Sequence, residues 1–332
     1  MNYLVTGGAG FIGSHFVEYL LAQDPCCRVT VLDKLTYAGS RENLKAAAAT
    51  GRLKLIVGDV CDESAALRAC KRADVVIHAA AESHVDRSIL SGLEAARTNY
   101  LGTQVMLEAA RKAGVARFLM VSTDEVYGTK ARGTFHEGSP LNPRNPYSAA
   151  KAGADRLAYA YFVTYGLPVV ITRPSNNYGP RQFPEKLVPL FTYKALRDEP
   201  LPVYGNGMQR RDWLHVSDHC RAMWVVLQRG EVGEAYNIPG GNERRNLQTI
   251  RIILDELGKP ESLIRFVADR PGHDPRYPLD GRKIAALGWA PQVEWEAGLR
   301  ATVRWYVENR GWLERAVKRG EEFHKQWYNA RR

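Results

Sequence analysis

The sequence has few cysteines, no long apolar run and no block of basic residues, and each absence excludes a class of protein. Its five cysteines among 332 residues are odd in number and lack both zinc-ligand spacing and a secreted disulfide framework. No stretch approaches the roughly 18 consecutive apolar residues of a membrane span, and the strand-like opening Met-Asn-Tyr-Leu-Val-Thr does not resemble a signal peptide. We therefore expect a cytoplasmic protein that does not span a membrane.

The charge of the chain is interleaved along its length despite a net value of +10. The 46 basic and 36 acidic residues alternate through most segments, so the excess gives little reason to expect nucleic-acid binding. The modestly basic end, residues 304–332, also carries Trp and Tyr at helical spacing, which predicts a packed amphipathic helix. With 45% hydrophobic residues, the composition is that of a folded globular protein.

Strand-like and helix-like segments alternate through the first half of the chain. Helical periodicity over segments such as residues 14–21 and 98–113 separates short apolar runs that end at Thr6, Asp33, Gly58, His78, Ser122 and Arg173. The alternation predicts a doubly wound parallel α/β sheet over residues 1–173. Dense Pro and Gly after Arg173 predict a smaller second lobe over residues 174–332, segments of which could return to the first domain.

A glycine-rich turn follows the first predicted strand. Gly8, Gly10 and Gly13 satisfy G-x-G-x-x-G, which allows a tight turn and brings a helix N-terminus close to a pyrophosphate. The second predicted strand delivers Asp33, whose carboxylate can accept both ribose hydroxyls of NAD and would repel the 2′-phosphate of NADP. Lys34 beside it weakens that discrimination. The alternative is a glycine turn that only packs a helix on a strand.

A tyrosine and a lysine share one face of a predicted helix. Tyr147 and Lys151 lie four residues apart, and Pro146 suits the first turn of that helix. A lysine ammonium near a phenol lowers the pKa of the phenol, which makes it a usable base at neutral pH. A pair at this spacing can also be an ordinary solvated pair.

Three polar residues follow the strand that precedes this helix. Thr123, Asp124 and Glu125 come after the apolar run 118–122, at the sheet edge where open α/β sheets bind ligands. If one carboxyl stays protonated and the other ionised, the two supply an acid and a base to opposite proton transfers. The alternative is an acidic turn that caps a helix.

With these motifs the chain resembles the extended short-chain dehydrogenase/reductase family, and within it the nucleotide-sugar 4,6-dehydratases. The resemblance rests on residues 6–13, 33–39, 79–86, 122–128, 147–151, 176–180, 183–186 and 270–274. Epimerases of this family carry small residues where Asp124 and Glu125 stand, and its decarboxylases tend to place serine at the position of Asp124. The resemblance implies a Rossmann-type doubly wound sheet with a smaller C-terminal α+β substrate lobe.

The resemblance also implies a redox-neutral dehydration of dTDP-glucose to dTDP-4-keto-6-deoxyglucose with tightly bound NAD. Tyr147, helped by Lys151 and Thr123, would take the C4 hydroxyl proton while hydride passes to NAD. Glu125 as base and Asp124 as acid would then eliminate water across C5 and C6 before hydride returns to C6. The alternatives are a UDP- or CDP-sugar dehydratase, an epimerase or decarboxylase of the same family, and a non-catalytic NAD-binding protein.

The resemblance assigns further residues to the two ligands. For NAD they are Gly7, Gly10, Phe11, Ile12, Gly13, Asp33, Lys34, Thr36, Gly39, Asp59, Val60, Ala79, Ala81, Ser83, Thr98, Val121, Tyr147, Lys151 and Asn177. For the nucleotide sugar they are Ser83, Thr123, Asp124, Glu125, Asn176, Lys186, Leu187, Pro202, Tyr204, Arg211, Asn246, Arg270, His273 and Tyr277. Arginine suits the pyrophosphate because its planar fork donates twice, and Tyr204 could stack on the base.

Two expectations concern metals and assembly. His215 and His219 have a spacing that could bind a metal on a helix, but the Ser217-Asp218 helix start between them argues against it, so no metal is expected. The family resemblance implies a homodimer through the helices near residues 98–113 and 146–162.

Overall fold

A computed structural model describes residues 1–329 of the chain, so the last three residues of the predicted second lobe lie outside the described residues. The strands are β1 (Asn2–Thr6), β2 (Arg28–Asp33), β3 (Leu53–Val57), β4 (Val75–His78), β5 (Arg117–Val121), β6 (Val169–Pro174), β7 (Asn176–Tyr178), β8 (Leu201–Tyr204), β9 (Arg210–His215), β10 (Ala235–Ile238), β11 (Glu243–Arg245) and β12 (Ile264–Val267).

The helices lie between and after these strands. They are α1 (Phe11–Gln23), α2 (Lys45–Ala49), α3 (Glu63–Cys70), α4 (Val85–Leu90), α5 (Gly92–Ala96), α6 (Gly102–Ala113), α7 (Pro146–Tyr165), α8 (Leu187–Leu196), α9 (Val216–Arg229), α10 (Asn246–Glu256), α11 (Arg282–Ala285), α12 (Trp295–Glu308) and α13 (Arg310–Asn329). Within residues 1–329 we find no helix long and apolar enough to cross a membrane.

The large sheet is parallel and doubly wound, as predicted. Its order is β10-β6-β5-β4-β1-β2-β3, so the direction of winding reverses between β1 and β4. Every residue of β4 and β6 is buried, because helices cover both faces of the sheet. Ligands of such sheets bind beyond the carboxyl ends of the strands at this reversal point. The site is therefore expected beside Thr6 and His78, which end β1 and β4 and lie opposite each other.

The helix that carries Tyr147 has strong signals at both ends. The Asn145 side chain accepts a hydrogen bond from the Ser148 backbone N–H, and Pro146 occupies the first helical position, as predicted. Gly166 ends the helix at φ +68°, in the left-handed region that glycine adopts most readily. These signals place Tyr147 in the first turn of α7, next to the end of β5.

The helix predicted over residues 98–113 has two parts. Residues 97–101 form a π-helical turn, and α6 continues from Gly102. The turn contains the buried Asn99, whose side chain accepts from the Glu82 N–H at 2.9 Å and donates to the Glu82 carbonyl at 3.0 Å. Such turns are frequent at functional sites, and Thr98 lies in this one.

The second half of the chain forms two small sheets and a third apolar core. The sheets have the orders β11-β9-β7 and β8-β12, whereas β10 joins β6 in the large sheet. The core contains stacked Trp213 and Trp295 rings with centroids 5.4 Å apart, and Trp312 of α13 packs into it. The amphipathic terminal segment is thus two helices, α12 and α13. The division of the chain at residues 173 and 174 stays a prediction.

Candidate active site

The glycine turn between β1 and α1 brings three backbone segments into contact. Gly7 has φ +68°, and a Cβ there would lie 2.7 Å from the Ala80 Cα. A Cβ on Gly13 would lie 2.2 Å from the Gly7 carbonyl oxygen, and Gly10 is the N-cap of α1. No other residue fits at Gly7 or Gly13 without displacing the turn. The free N–H groups of the first turn of α1 consequently face the edge of the sheet, where they can bind a phosphate.

Asp33 ends β2 beside this turn and is held by backbone groups. Its Oδ2 accepts from the Ala9 N–H at 2.9 Å, and its Oδ1 accepts from the Leu35 N–H at 2.8 Å. Burial raises the pKa of Asp33, and these two hydrogen bonds oppose that shift. Lys34 forms an ion pair with Asp59 at 2.9 Å instead of pairing with Asp33. The Asp33 carboxyl oxygens keep further lone pairs, as recognition of a ribose requires.

Two neighbouring clefts gather most of the predicted site residues. The first cleft, about 300 Å³, is lined by the glycine turn and the ends of β1, β2, β4 and β5. All the predicted cofactor residues except Lys151 line it, as do the predicted substrate residues Ser83, Thr123 and Asp124. The second cleft, about 160 Å³, is lined by the other predicted substrate residues. Glu125, Asn176 and Lys186 line both clefts, which therefore meet at these side chains.

Tyr147 is buried in the first cleft, and its environment differs from the prediction. Burial and the neighbouring Glu125 raise the pKa of Tyr147, whereas a hydrogen bond with Thr123 lowers it. Lys151 donates to the Val121 carbonyl at 2.6 Å and lies outside the lining of the cleft. Among the protein's own groups, Thr123 rather than Lys151 lowers the pKa of Tyr147. Burial lowers the pKa of Lys151 to about 8, and the charge of Asp155 opposes that shift.

The two adjacent carboxyls have different environments. Burial, followed by the charge of Glu125, raises the pKa of Asp124 well above its usual range. Thr123 Oγ1 donates to Asp124 Oδ1 at 3.1 Å, and Asp124 Oδ2 has no hydrogen-bond partner. Glu125 is only partly buried, and its Oε2 accepts from Asn145 Nδ2 at 3.4 Å. Burial thus favours the protonated form of Asp124, and the Glu125 carboxyl beside it is more accessible, which suits an acid next to a base.

The second cleft is organised around a buried carboxylate that the sequence analysis did not single out. Asp86 Oδ2 accepts from the Tyr204 hydroxyl at 2.7 Å, and Asp86 Oδ1 pairs with Arg270 at 3.2 Å. Asp86 stands in the motif at residues 79–86, but nothing in its spacing predicts partners 118 and 184 residues away. Two side chains with proposed roles at the nucleotide therefore share one anchor.

A second cationic group faces the same cleft. Arg211 donates to His273 Nε2 at 2.8 Å, and His273 Nδ1 contacts Asp269 Oδ1 at 2.6 Å. The Arg211 guanidinium also lies over the Tyr277 ring, 4.5 Å from its centroid. Lys186 donates to the Ser83 carbonyl at 2.6 Å, between the two clefts. The cleft thus presents several cations to a ligand, as a pyrophosphate requires.

Several buried polar atoms that line the clefts have no hydrogen-bond partner. They are Ser122 Oγ, Asp124 Oδ2, Asn176 Oδ1, Gln182 Oε1, Asn246 Oδ1, Arg270 Nε and Trp213 Nε1. Leaving such an atom unsatisfied costs about 1–3 kcal/mol, so native proteins do so mainly where a ligand or water binds. These atoms indicate polar ligands in both clefts.

The histidine pair that could have bound a metal has other contacts. His215 precedes α9 and accepts from the Ser217 N–H, whereas the buried His219 contacts Asn177 Oδ1 at 2.9 Å through its Nδ1. Over the described part of the chain, no group of three His, Cys, Asp or Glu side chains is placed to hold a metal ion.

A Rossmann-type sheet that carries a tyrosine and a lysine on the helix beside β5 is the arrangement of a short-chain dehydrogenase/reductase. The chain belongs to the GDP-mannose 4,6 dehydratase family, whose family model matches residues 4–302. The predicted resemblance is thereby confirmed.

Individual relatives place the chain among nucleotide-sugar enzymes. It is 52% identical over 318 residues to the dTDP-glucose 4,6-dehydratase of Actinoplanes sp., which covers 94% of this chain and 99% of the relative. The structure of DesIV (dTDP-glucose 4,6-dehydratase) from Streptomyces venezuelae, with NAD and TYD bound, has a TM-score of 0.93 and 53% identity, covering 95% of this chain and 100% of that one. The UDP-glucose 4-epimerase of Thermus thermophilus, in complex with NAD, has a TM-score of 0.86 and 33% identity, covering 92% and 99%. Because one fold serves dehydratases and epimerases, the site residues decide the reaction.

Proposed function

We propose that this chain is an NAD-dependent dTDP-glucose 4,6-dehydratase, a hydro-lyase that forms dTDP-4-keto-6-deoxyglucose and water. The observation that carries the proposal is the Asp124–Glu125 pair, one carboxyl buried and the other accessible, next to Tyr147 where the two clefts meet. The likeness to named dehydratases supports the same reaction. NAD, when bound, supplies the oxidant for C4 and the reductant for C6.

The first cleft has the features that NAD requires. The turn at Gly7, Gly10 and Gly13 leaves room for a pyrophosphate beside the N-terminus of α1, and the Asp33 carboxylate can accept the ribose hydroxyls. A carboxylate there disfavours the 2′-phosphate of NADP, because the two negative charges repel each other. Lys34 is engaged by Asp59 and offers that phosphate little compensation.

Tyr147 is the base for the C4 hydroxyl of the sugar. Its raised pKa means that the phenolate needs stabilisation, which the Thr123 hydrogen bond provides. Lys151 is a positioning residue in this scheme, since its ammonium is fixed to the carbonyl of Val121, which lines the first cleft together with Tyr147. Oxidation at C4 creates a ketone, which acidifies the proton at C5.

The two carboxyls then perform the elimination. Glu125 removes the C5 proton, the C5 electron pair forms the C5–C6 double bond, and the C6–oxygen bond breaks. Asp124 gives its proton to the departing hydroxide, so water leaves. Burial favours the protonated form of Asp124 before this step, whereas Glu125 lines both clefts. Reduction at C6 and return of a proton to C5 complete a cycle with no net oxidation.

The second cleft binds the nucleoside diphosphate in this proposal. Arg211 and Arg270 face the pyrophosphate, and Tyr204 stacks on the base with Pro202 nearby. UDP- and CDP-sugars remain the alternative substrates, because base identity depends on few contacts in this cleft. Residues 1–173 would thus bind NAD and carry the catalytic groups, and residues 174–332 would mainly bind the nucleotide sugar.

The experiment that tests the proposal is NMR of the purified protein with dTDP-glucose in deuterated water, without added NAD. We expect a 4-keto-6-deoxy product with deuterium at C5, because the proton at C5 is removed and replaced. A parallel sample with UDP-glucose ranks the two bases. A C4 epimer, a pentose product or no change with either sugar would contradict the proposal.

A variant separates the two halves of the reaction. In Glu125→Gln, added substrate should still reduce the bound cofactor, which the near-ultraviolet absorbance of the cofactor detects. No ketosugar should be released. Glu63→Gln, an exposed residue in the first turn of α3, is the matched control and should behave as wild type. Normal product formation by Glu125→Gln would contradict the assigned role.

We also propose a homodimer. It would form through the helices near residues 98–113 and 146–162, which pack against each other and expose Tyr100, Leu101 and Tyr159 by 45%, 47% and 41%. Val163, one residue beyond that range on α7, is 62% exposed. Val163→Glu should shift the protein from dimer to monomer in analytical ultracentrifugation. The free state of all five cysteines, which lie within the described residues, supports a cytoplasmic location.

A further inference from the structure

The last helix of the chain lies beyond the residues that the family model matches, yet it contacts the walls of both clefts. The match ends at residue 302, whereas α13 begins at Arg310. Near its start, Trp312 Nε1 donates to Asn43 Oδ1 at 2.9 Å. Near its middle, Arg319 Nε donates to the Tyr37 carbonyl at 3.0 Å. The helix is thereby fastened to the segment that follows β2, beside the first cleft.

The far end of α13 contacts the second cleft through an indole. Trp327 is 2% exposed, and its Nε1 donates to the Tyr204 hydroxyl at 2.7 Å. The Phe323 ring stacks on Trp327 with an interplanar angle of 18° and a centroid distance of 6.1 Å. Trp327 itself does not line the cleft, and its hydrogen bond to Tyr204 connects it directly to a residue that does.

The indole N–H of Trp327 fixes the direction of both hydrogen bonds at the Tyr204 hydroxyl. An indole N–H can only donate, so the Tyr204 oxygen accepts from Trp327 and its own proton is directed to Asp86 Oδ2 at 2.7 Å. The other oxygen of Asp86 is held by Arg270. Two hydrogen bonds at one hydroxyl restrain the Tyr204 ring, whose edge-to-face contact with His273 has a centroid distance of 6.1 Å.

The same end of α13 also supports a second part of the wall of the second cleft, through Phe323. The Arg87 guanidinium lies between two rings, 3.7 Å from the Tyr37 centroid and 4.3 Å from the Phe323 centroid. Arg87 forms a forked ion pair with the buried Glu185, which lines the second cleft next to Lys186. Phe323 thus supports the Arg87–Glu185 ion pair near the point where the two clefts meet.

We propose that Trp327 is a positioning residue of the nucleotide pocket, which acts through Tyr204 and is supported by Phe323. The inference rests on the proposed function only in taking the ligand to be a nucleoside diphosphate. A ring held at the correct angle before binding loses less conformational freedom when a base stacks on it. Loss of the indole N–H should therefore weaken nucleotide binding more than it slows the chemical steps.

The test is the affinity of the full-length protein for dTDP, measured by calorimetry, together with kcat and KM for dTDP-glucose. Trp327→Phe keeps an aromatic ring and removes the donor, so dTDP affinity should fall about 3- to 10-fold and KM should rise in parallel. We expect kcat to stay within about twofold. A chain that ends at Glu322 lacks Phe323 as well and should show a larger loss of affinity.

Two controls separate positioning from a general loss of stability. Trp312→Phe removes an indole donor from the same helix at the first cleft, so it should lower the thermal stability and leave dTDP affinity unchanged. In a double-mutant cycle, Trp327→Phe should have little further effect in a Tyr204→Phe background, because the partner hydroxyl is already absent.

The inference is overturned if Trp327→Phe and the shortened chain bind dTDP as wild type does. It is also overturned if Trp312→Phe weakens binding equally or the cycle is additive, since either result means that α13 acts only by general packing. UDP and CDP are measured alongside dTDP. If wild type prefers one of them, the proposed substrate is wrong, and the role of Trp327 is judged on that nucleotide.

Discussion

The two clefts have different proposed ligands and are formed by different parts of the chain, main chain in the first and side chains in the second. The first cleft is shaped by main chain, because Gly7 and Gly13 approach their neighbours so closely that a Cβ would lie under 3 Å from backbone atoms. The second cleft is shaped by side chains from distant segments, such as the Tyr204–Asp86–Arg270 set. A main-chain site follows from local sequence, whereas a side-chain site depends on how separate segments pack. We therefore expect substitutions in the two clefts to have separable effects.

The largest effect is expected where the clefts meet. Tyr147→Phe removes the proposed base for the C4 hydroxyl, so kcat should fall about 10³-fold and the bound cofactor should not be reduced by substrate. Rapid-mixing absorbance of the nicotinamide measures this step. The control is Tyr161→Phe on the same helix, because the Tyr161 hydroxyl accepts a hydrogen bond from Gln104. This variant should keep wild-type turnover. Cofactor reduction at a normal rate in Tyr147→Phe would contradict the assignment.

The main-chain character of the first cleft is tested by adding one methyl group. In Gly13→Ala the new Cβ would meet the Gly7 carbonyl oxygen at 2.2 Å, so the turn must shift. Such strain costs about 1–3 kcal/mol, and we expect NAD affinity to fall about 10- to 100-fold. The measurement is the NAD content after dialysis. Gly92→Ala, where a Cβ makes an ordinary 3.4 Å contact, should retain NAD, and equal loss in both variants would contradict this account.

The second cleft should respond to loss of one charge. Asp86→Asn keeps the shape of the side chain but removes the charge that holds Arg270, so KM for the nucleotide sugar should rise about 10-fold. The NAD content should not change, because Asp86 does not line the first cleft. Asp280→Asn, which loses an exposed pair with Arg282, is the control. A parallel loss of NAD would mean that the two clefts are not independent.

The smallest effect concerns stability. Burial raises the folded-state pKa of Asp124, so the folded protein binds this proton more tightly than the unfolded chain does. Below the usual carboxyl pKa both states are protonated, and this contribution to stability is fully present. As pH rises through the raised pKa it is lost, by at most about 1.4 kcal/mol per pH unit. Urea unfolding should therefore show Asp124→Asn gaining stability over wild type as pH rises, and a constant difference would contradict the pKa shift.

The cofactor side was the more predictable half of the site. The strand ends at Thr6, Asp33 and His78 and the helix start at Pro146 agree with the sequence-based prediction. These features depend on hydrophobic periodicity, on turn residues and on helix caps, which act within a few residues. The role of Lys151 was less predictable, because its ammonium is fixed to the Val121 carbonyl and not to Tyr147.

The amino-acid order was sufficient for the sheet class, the glycine turn and the placement of reactive groups after β5, since each arises from short-range periodicity or from a single backbone conformation. The raised pKa of Asp124, the shared anchor at Asp86 and the contact of Trp327 with Tyr204 required the folded chain. The first of these depends on burial. The other two depend on contacts between residues that lie 118 and 123 positions apart in the sequence. Desolvation and long-range packing exist only after collapse, and no local pattern encodes which distant side chain will supply the partner.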